Sequence, residues 1–220
     1  MRTIVAAIAG YLIGTIPSAD IAARLASRRR APSDLRAAGT GNPGALNAAK
    51  VLGWKWGALV LAGDMGKGVI ASIAGRRFGG ANGAYAAGAA AVVGHCLPVW
   101  NGFRGGKGVA TSAGTSLVCF PAYAPVDVAL AASLSFLSRG RAELSAGLTS
   151  AVFVLAATHW WAARRKNAWG PEPTAGLPLY ALVSSTIIIQ RLLSAQPPIE
   201  NEDSVDTTAE AARLPVEALA

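Results

Sequence analysis

The chain alternates long apolar stretches with short polar connections. Apolar runs fall near residues 3–26, 51–75, 82–101, 109–138, 143–163 and 176–193, and they are rich in Ala, Gly, Leu and Val. Each is long enough to cross, or partly cross, a hydrocarbon core about 30 Å thick. None shows the period-2 alternation of barrel strands, and backbone facing lipid must satisfy its own hydrogen bonds, so every run is predicted as helix. The pattern therefore predicts an all-α fold, a polytopic membrane helix bundle of five to seven transmembrane helices. The range comes mainly from the fourth run, where Pro121 and Pro125 impose either one kinked helix or two short ones. The small residues spread through the runs favour close helix packing. Arg2 followed by Ile4 to Ile16 has the outline of a signal peptide, yet the apolar runs that follow make it a first membrane helix. Residues 1–197 are expected to form one membrane domain. Residues 198–220, acidic and poor in large apolar side chains, are expected to form a flexible tail.

Composition agrees with this reading. With 52% hydrophobic and 15% charged residues, and a mean hydropathy of +0.39, the 220-residue chain is too apolar for an ordinary soluble domain. Six of its twelve acidic residues lie in the last 21 positions, so residues 1–199 carry a formal charge of +13. That excess suits anionic substrates or the anionic surface of a bilayer. Nucleic acid is a poor fit, because the charges interrupt apolar segments and line no soluble face. Arg28, Arg29, Arg30, Arg36, Lys50, Arg104 and Lys107 place the first and third connections in the cytoplasm, with the N-terminus outside, while Arg76 and Arg77 fall on the opposite side. Trp160 and Trp161, followed by Arg164, Arg165 and Lys166, form an interfacial belt. Cys96 and Cys119 have no CxxC spacing and only two histidines to assist them, so neither a zinc site nor a disulfide framework is indicated.

Two of the polar connections carry glycine-rich cationic loops. Residues 94–111 read GHCLPVWNGFRGGKGVAT, and residues 36–50 read RAAGTGNPGALNAAK. Glycines let backbone N–H groups approach an anion, and Arg104 and Lys107 in one loop and Arg36 and Lys50 in the other supply charge. Thr40 adds a hydroxyl, and Asn42 and Asn47 add amides. Neither loop fits G-x-x-x-x-G-K-[ST], so a nucleotide-hydrolysing loop is not indicated. Asp64 and Lys67, at i and i+3, share one helix face and can pair, either structurally or as a functional intramembrane pair. His95, just before the second loop, either moves a proton or hydrogen-bonds a loop carbonyl. His159 reads as interfacial, and Asp127 receives no role. Neither histidine has the acid five residues on that marks the large soluble-domain glycerolipid acyltransferases.

Taken together, these residues resemble the small bacterial membrane acyl-phosphate:glycerol-3-phosphate acyltransferases. That family's first motif is close to G-S-G-N-P-G-A-T-N-x-x-R, against GTGNPGALNAAK at 39–50. Its second is close to G-H-x-x-P-x-F-x-G-F-K-G-G-K-G-V-A-T, against 94–111, and its D-x-x-K-G matches Asp64 to Gly68. The resemblance implies a multi-pass protein of the bacterial inner membrane with cytoplasmic loops and no cofactor. It implies transfer of a fatty acyl group from acyl phosphate to the sn-1 hydroxyl of glycerol 3-phosphate, giving lysophosphatidic acid and phosphate. Thr40, Lys50, His95 and Lys107 are then the catalytic candidates. Gly39, Gly41, Asn42, Gly44, Asn47, Arg104, Gly105, Gly106, Gly108 and Thr111 are the substrate-binding candidates. Lys107, Arg104 and the amides of Gly105, Gly106 and Gly108 would hold glycerol phosphate, and Thr40, Asn42 and Lys50 the acyl phosphate.

The match departs at Leu46 for a threonine and at Lys50 for an arginine. A third motif, R-H-x-x-N-I-x-R-L, aligned on Gln190-Arg191-Leu192, puts Ser185 where the histidine stands and Ile188 where the asparagine stands. His159 or Asn167 is the candidate to replace them. Two other readings stay open: a catalytically degenerate paralogue that binds a phosphorylated lipid precursor, and a small anion transporter.

Overall fold

The structure is a computed structural model and describes residues 1–27, 34–139 and 141–194. Arg28, Arg29 and Arg30, and the acidic tail at 198–220, lie outside the described residues. Among the described residues the fold is all-α: α1 (Arg2–Gly14), α2 (Ser18–Ala26), α3 (Ala45–Leu52), α4 (Trp54–Cys96), α5 (Val109–Cys119), α6 (Ala124–Leu137), α7 (Ala142–Ala162) and α8 (Gly176–Leu193). Arg2–Ala26, Trp54–Asn101 and Gly176–Leu193 are long and apolar enough to cross a membrane. Outward-facing Ile4, Ile8, Leu12, Ile70, Ile73, Leu155, Leu179 and Leu182 are exposed, as a lipid-facing surface requires.

Each break in the apolar pattern has a local cause. Pro17 offers no backbone donor, and the first run divides there into α1 and α2. The fourth run is two helices, α5 and α6, separated around Pro121, with Pro125 in the first turn of α6. The largest departure from a straight rod lies in α4. As one continuous helix its 43 residues would span about 64 Å, roughly twice a hydrocarbon core. Gly80 instead adopts φ 64° and ψ −149°, a conformation closed to side-chain-bearing residues, and α4 folds back there as a helical hairpin. Its two arms touch through Gly75 and Gly83, each of which would strike the other's carbonyl oxygen if it carried a Cβ.

The same device joins α1 to the second arm. Gly10 lies against the backbone of Ala87, Gly14 against that of Ala91, and Gly94 against that of Tyr11, leaving no room for a methyl group at any of the three. A Gly14→Val substitution is expected to force these helices apart and destabilise the protein by about 1–3 kcal/mol. A lower thermal unfolding midpoint in detergent checks this. α5 lies in the other groove of the hairpin, with Gly68 against Thr111 and Thr115, and Gly114 against Met65. α8 closes α5 through Tyr180, whose hydroxyl bonds Thr115 Oγ1 at 2.7 Å and Ser116 Oγ at 3.1 Å. Phe120, Tyr123, Phe153, Trp160 and Tyr180 form an aromatic core among α5 to α8.

This packing sorts the connections. Arg2, the Gly80 turn and the connection between α7 and α8 share one end, where Gly79 lies near Arg2 and Arg76 donates to the Trp169 carbonyl. Both glycine-rich loops share the other.

Candidate active site

A clasp centred on Asp20 of α2 joins the two loops. Its carboxylate receives Arg36 Nη1 at 2.7 Å and Nη2 at 3.2 Å, a bidentate pair, and also Asn101 Nδ2 at 3.0 Å. Arg36 Nε continues across to the carbonyl of Arg104 at 3.1 Å. Burial opposes the Arg36 charge, but the Asp20 carboxylate outweighs it and holds the guanidinium above its ordinary pKa. One side chain from before the first loop thus fixes the second. Asp20→Ala is expected to lower kcat/KM about tenfold or more, since a hydrogen bond to a charged group contributes about 1.5–3 kcal/mol. Asp20→Asn should retain part of that activity, and steady-state kinetics on the two variants measures the difference.

Beneath the clasp is a narrow cleft lined by Thr15 to Asp20, Arg36, Pro43, Asp64, Lys67, His95, Pro98, Asn101, Gly105 and Gly106. Three ionisable groups are buried at its floor: Asp64, Lys67 and His95 are 3%, 5% and 8% exposed. Lys67 Nζ lies 2.9 Å from Asp64 Oδ1 and donates to the Ile16 carbonyl at 3.0 Å, while His95 Nδ1 lies 3.4 Å from the same Asp64 oxygen. Asp64 and His95 are 31 positions apart, and only the reversal at Gly80 brings them together.

Within the second loop the glycines act differently from the expected anion cradle. The N–H of Gly105 donates to the Cys96 carbonyl at 3.1 Å and that of Gly106 to the His95 carbonyl at 3.2 Å. Neither amide is therefore available to an anion. The glycines are needed for a second reason: a Cβ on Gly105 would strike the His95 carbonyl, and one on Gly106 would strike His95 Nε2. The loop closes directly over the imidazole. The amides that stay open belong to the start of α5, whose first backbone bond runs from Ser112 N–H to the Gly108 carbonyl. Preceding N–H groups, from Gly108 to Thr111, have no partner within the helix. Gly108 opens α5 in the left-handed region, with φ 86°. Lys107 precedes it, half-buried, and makes no ion pair among the described residues.

The first loop is held together from within. Asn47 is buried, accepting from the Thr40 N–H at 2.8 Å and donating to the carbonyls of Leu35 at 2.8 Å and Ala38 at 3.0 Å. Its amide is spent on the loop, contrary to the expected substrate contact. Gly39 and Gly41 adopt positive φ, and Gly44 caps α3 against Asn42. Thr40 and Asn42 are half-buried, Lys50 is exposed near the end of α3, and the Arg104 side chain is exposed on the second loop. Thr111 is fully buried between α5 and Gly68, away from the loop surface.

The third wall comes from α8. Arg191 Nη2 donates to the Gly105 carbonyl at 2.8 Å and Nε to that of Gly106 at 3.4 Å, so a polar group does return to the second loop. Ile188, by contrast, packs with Val92 and Cys96 beside Gly108, and Ser185 is buried. His159 and Asn167 do not substitute for the motif's missing groups. Both sit at the opposite end of the bundle, Asn167 donating to the carbonyls of Cys119 at 2.9 Å and Pro171 at 2.8 Å. Asp20, Asn101 and Arg191 were absent from the sequence-based candidates. Asp20 carried a signal as an acidic residue within the first apolar run, and Arg191 one as the arginine on which the third motif aligns.

The described residues thus form an apolar helical bundle with buried charges beneath two cationic loops at one end. The chain belongs to the glycerol-3-phosphate acyltransferase family, which it matches over residues 4–195. It is 38% identical to the glycerol-3-phosphate acyltransferase of Thermoanaerobacter pseudethanolicus over 161 residues, covering 73% of this chain and 79% of that protein. It is also 38% identical to the Caulobacter vibrioides enzyme of that name over 205 residues, with 88% and 86% covered. Among solved structures, it is similar to the glycerol 3-phosphate form of PlsY (YgiH), an integral membrane glycerol 3-phosphate acyltransferase. The TM-score is 0.70 and the identity 26%, covering 96% of this chain and 94% of that one.

Proposed function

We propose that the protein transfers a fatty acyl group from acyl phosphate to the sn-1 hydroxyl of glycerol 3-phosphate. The products are lysophosphatidic acid and inorganic phosphate, formed at the cytoplasmic face of the bacterial inner membrane. The observation that carries this reading is the Asp20 clasp, which sets two cationic loops side by side at one end of an apolar bundle. That arrangement suits a reaction between two phosphate-bearing substrates, one with a fatty tail. The glycerol 3-phosphate form of the PlsY relative supports the choice of acceptor.

Lys107, Arg104 and the open amides at Gly108 and the start of α5 hold the acceptor phosphate, because a helix N-terminus and adjacent cations favour an anion. Thr40, Asn42 and Lys50 receive the acyl phosphate. An acyl phosphate is an activated mixed anhydride, so positioning it and stabilising the oxyanion suffices without a covalent enzyme intermediate. The acyl tail lies between helices, open to lipid. Residues 1–197 act as one membrane domain, and Arg36, Lys50, Arg104 and Lys107 favour the cytoplasm for the loop end.

Protein reconstituted in liposomes and given acyl phosphate with labelled glycerol 3-phosphate should form labelled lysophosphatidic acid acylated at sn-1. Acyl-coenzyme A as donor should give none. Product from the thioester alone, or acylation at the second hydroxyl, would overturn the proposal. Glycerol phosphate binding without turnover would favour the non-catalytic reading, which Ile188 beside the second loop supports.

A further inference from the structure

The connection between α7 and α8, at the end of the bundle opposite the loops, is tied down along its length. Asn167 Nδ2 holds it to the Cys119 and Pro171 carbonyls, and Trp169 Nε1 donates to the Leu117 carbonyl at 3.1 Å. From α4, the Tyr85 hydroxyl reaches the carbonyls of Pro171 and Glu172, each at 3.2 Å. Its first turn closes α7 as a Schellman motif: the Arg164 N–H donates to the Trp161 carbonyl at 3.1 Å and the Arg165 N–H to that of Trp160 at 2.9 Å. The left-handed position of that motif usually takes glycine, yet here it holds Arg164, at φ 49°. A long cationic side chain thus stands where glycine would cost less. Arg165 lies over the Trp160 ring at 5.3 Å, and Trp160 Nε1 donates to the Lys166 carbonyl at 3.3 Å, so the tryptophan fixes the next two positions as well.

Arg164, Arg165 and Lys166 line one open cleft together with Trp161 and Glu172. All three cations are exposed, and none makes an ion pair among the described residues. Arg2, Arg76 and Arg77 add exposed charge at the same end, against Glu172 and Asp127, the latter in the first turn of α6. Cations gathered at this end run against the one-sided Lys/Arg bias that orients membrane proteins, so an anionic counterpart is called for. Basic clusters at a bilayer surface attract anionic headgroups, and tryptophan settles at headgroup depth. Guanidinium forks match phosphate oxygens in geometry as well as in charge. We propose that this turn binds an anionic phospholipid of the leaflet opposite the loops, with Arg164, Arg165 and Lys166 on its phosphate and Trp161 beside its glycerol backbone. Free phosphate presents the same oxygens. Trp161 and Trp169, 41% and 68% exposed, favour the lipid, because they offer an acyl chain apolar surface that an ion does not use.

Thermal unfolding of the full-length protein in neutral detergent tests this, because a ligand of the folded state raises the midpoint. Phosphatidylglycerol should raise the wild-type midpoint by a few degrees, and phosphatidylcholine should not. Each shift is read against the same protein without lipid. Arg164→Gly combined with Lys166→Gln should lose at least half of the rise. Glycine suits the left-handed position, so this variant should unfold no lower than wild type in detergent alone, which separates lost binding from a damaged fold. Arg24→Gln combined with Lys55→Gln removes two exposed charges from the loop end and should keep the full rise. A full rise in the first variant, an equal loss in the second, or an equal response to phosphatidylcholine would overturn the proposal. Inorganic phosphate is the remaining arm: a rise with phosphate that disappears in the first variant would make this a site for a soluble anion and overturn the lipid assignment. No turnover is read, so the result stands apart from the acyl-transfer reading.

Discussion

Lys107→Ala is expected to lower product formation roughly a thousandfold, to the edge of detection in the labelled glycerol 3-phosphate assay. Lys107 stands at the opening of α5, half-buried and with no acidic partner among the described residues. Its charge is therefore uncommitted, unlike that of Arg36 in the clasp or Lys67 beneath it. The partial positive charge of the α5 N-terminus adds to it, and both act at the edge of an apolar bundle where water screens poorly. A contact to an anion there strengthens as charge develops in the transition state, so its loss falls on kcat as well as on KM. Lys107→Arg should recover part of the activity, since it keeps the charge and changes the geometry. Product formation that survives in Lys107→Ala would remove this residue from the mechanism.

Gly106→Ala should lower turnover about a hundredfold while leaving the protein folded. The added methyl group would meet His95 Nε2 within contact distance, and the Gly106 N–H is tied to the carbonyl of His95 itself. Loop and imidazole cannot both keep their positions. Arg191 holds the Gly105 and Gly106 carbonyls from the other side, so the ring moves rather than the loop. A displacement of about 1 Å in the floor of the site is enough for a hundredfold loss. A thermal unfolding midpoint lowered by a few degrees, with a cooperative transition retained and kcat reduced, is the expected pair of results. A raised KM for glycerol 3-phosphate with normal kcat would mean that the loop, and not the histidine, had moved.

Much of this was legible along the chain. The apolar runs marked most of the helices, and Pro121 and Pro125 marked the division of the fourth run into two, because a missing donor and a fixed φ act locally, whereas the first run, read as one helix, divides at Pro17. Both loops were visible in composition. Their glycines were harder to interpret: glycine can free an amide for a ligand or free space for a neighbour, and one sequence looks the same in either case. Gly105 and Gly106 proved to be of the second kind, and the open amides moved to the start of α5. Asn47 shows the same ambiguity, an amide able to bind substrate whose hydrogen bonds all go to its own loop.

Periodicity and hydropathy were sufficient for the helical class and the membrane setting, and the resemblance of three motifs for the family, because each depends on residue type at short spacing. The partnerships at the site depend on contacts between residues distant in sequence. Asp64 meets His95 only because Gly80 turns α4 back on itself, and Asp20 reaches Arg36 and Asn101 only because small residues let α1 and the hairpin pack backbone to backbone. Arg191 likewise reaches the second loop from the end of α8, 85 positions away from Gly106 in sequence. A charged side chain in a membrane helix announces that it needs a partner, and the tertiary fold alone selects which partner lies within hydrogen-bonding reach.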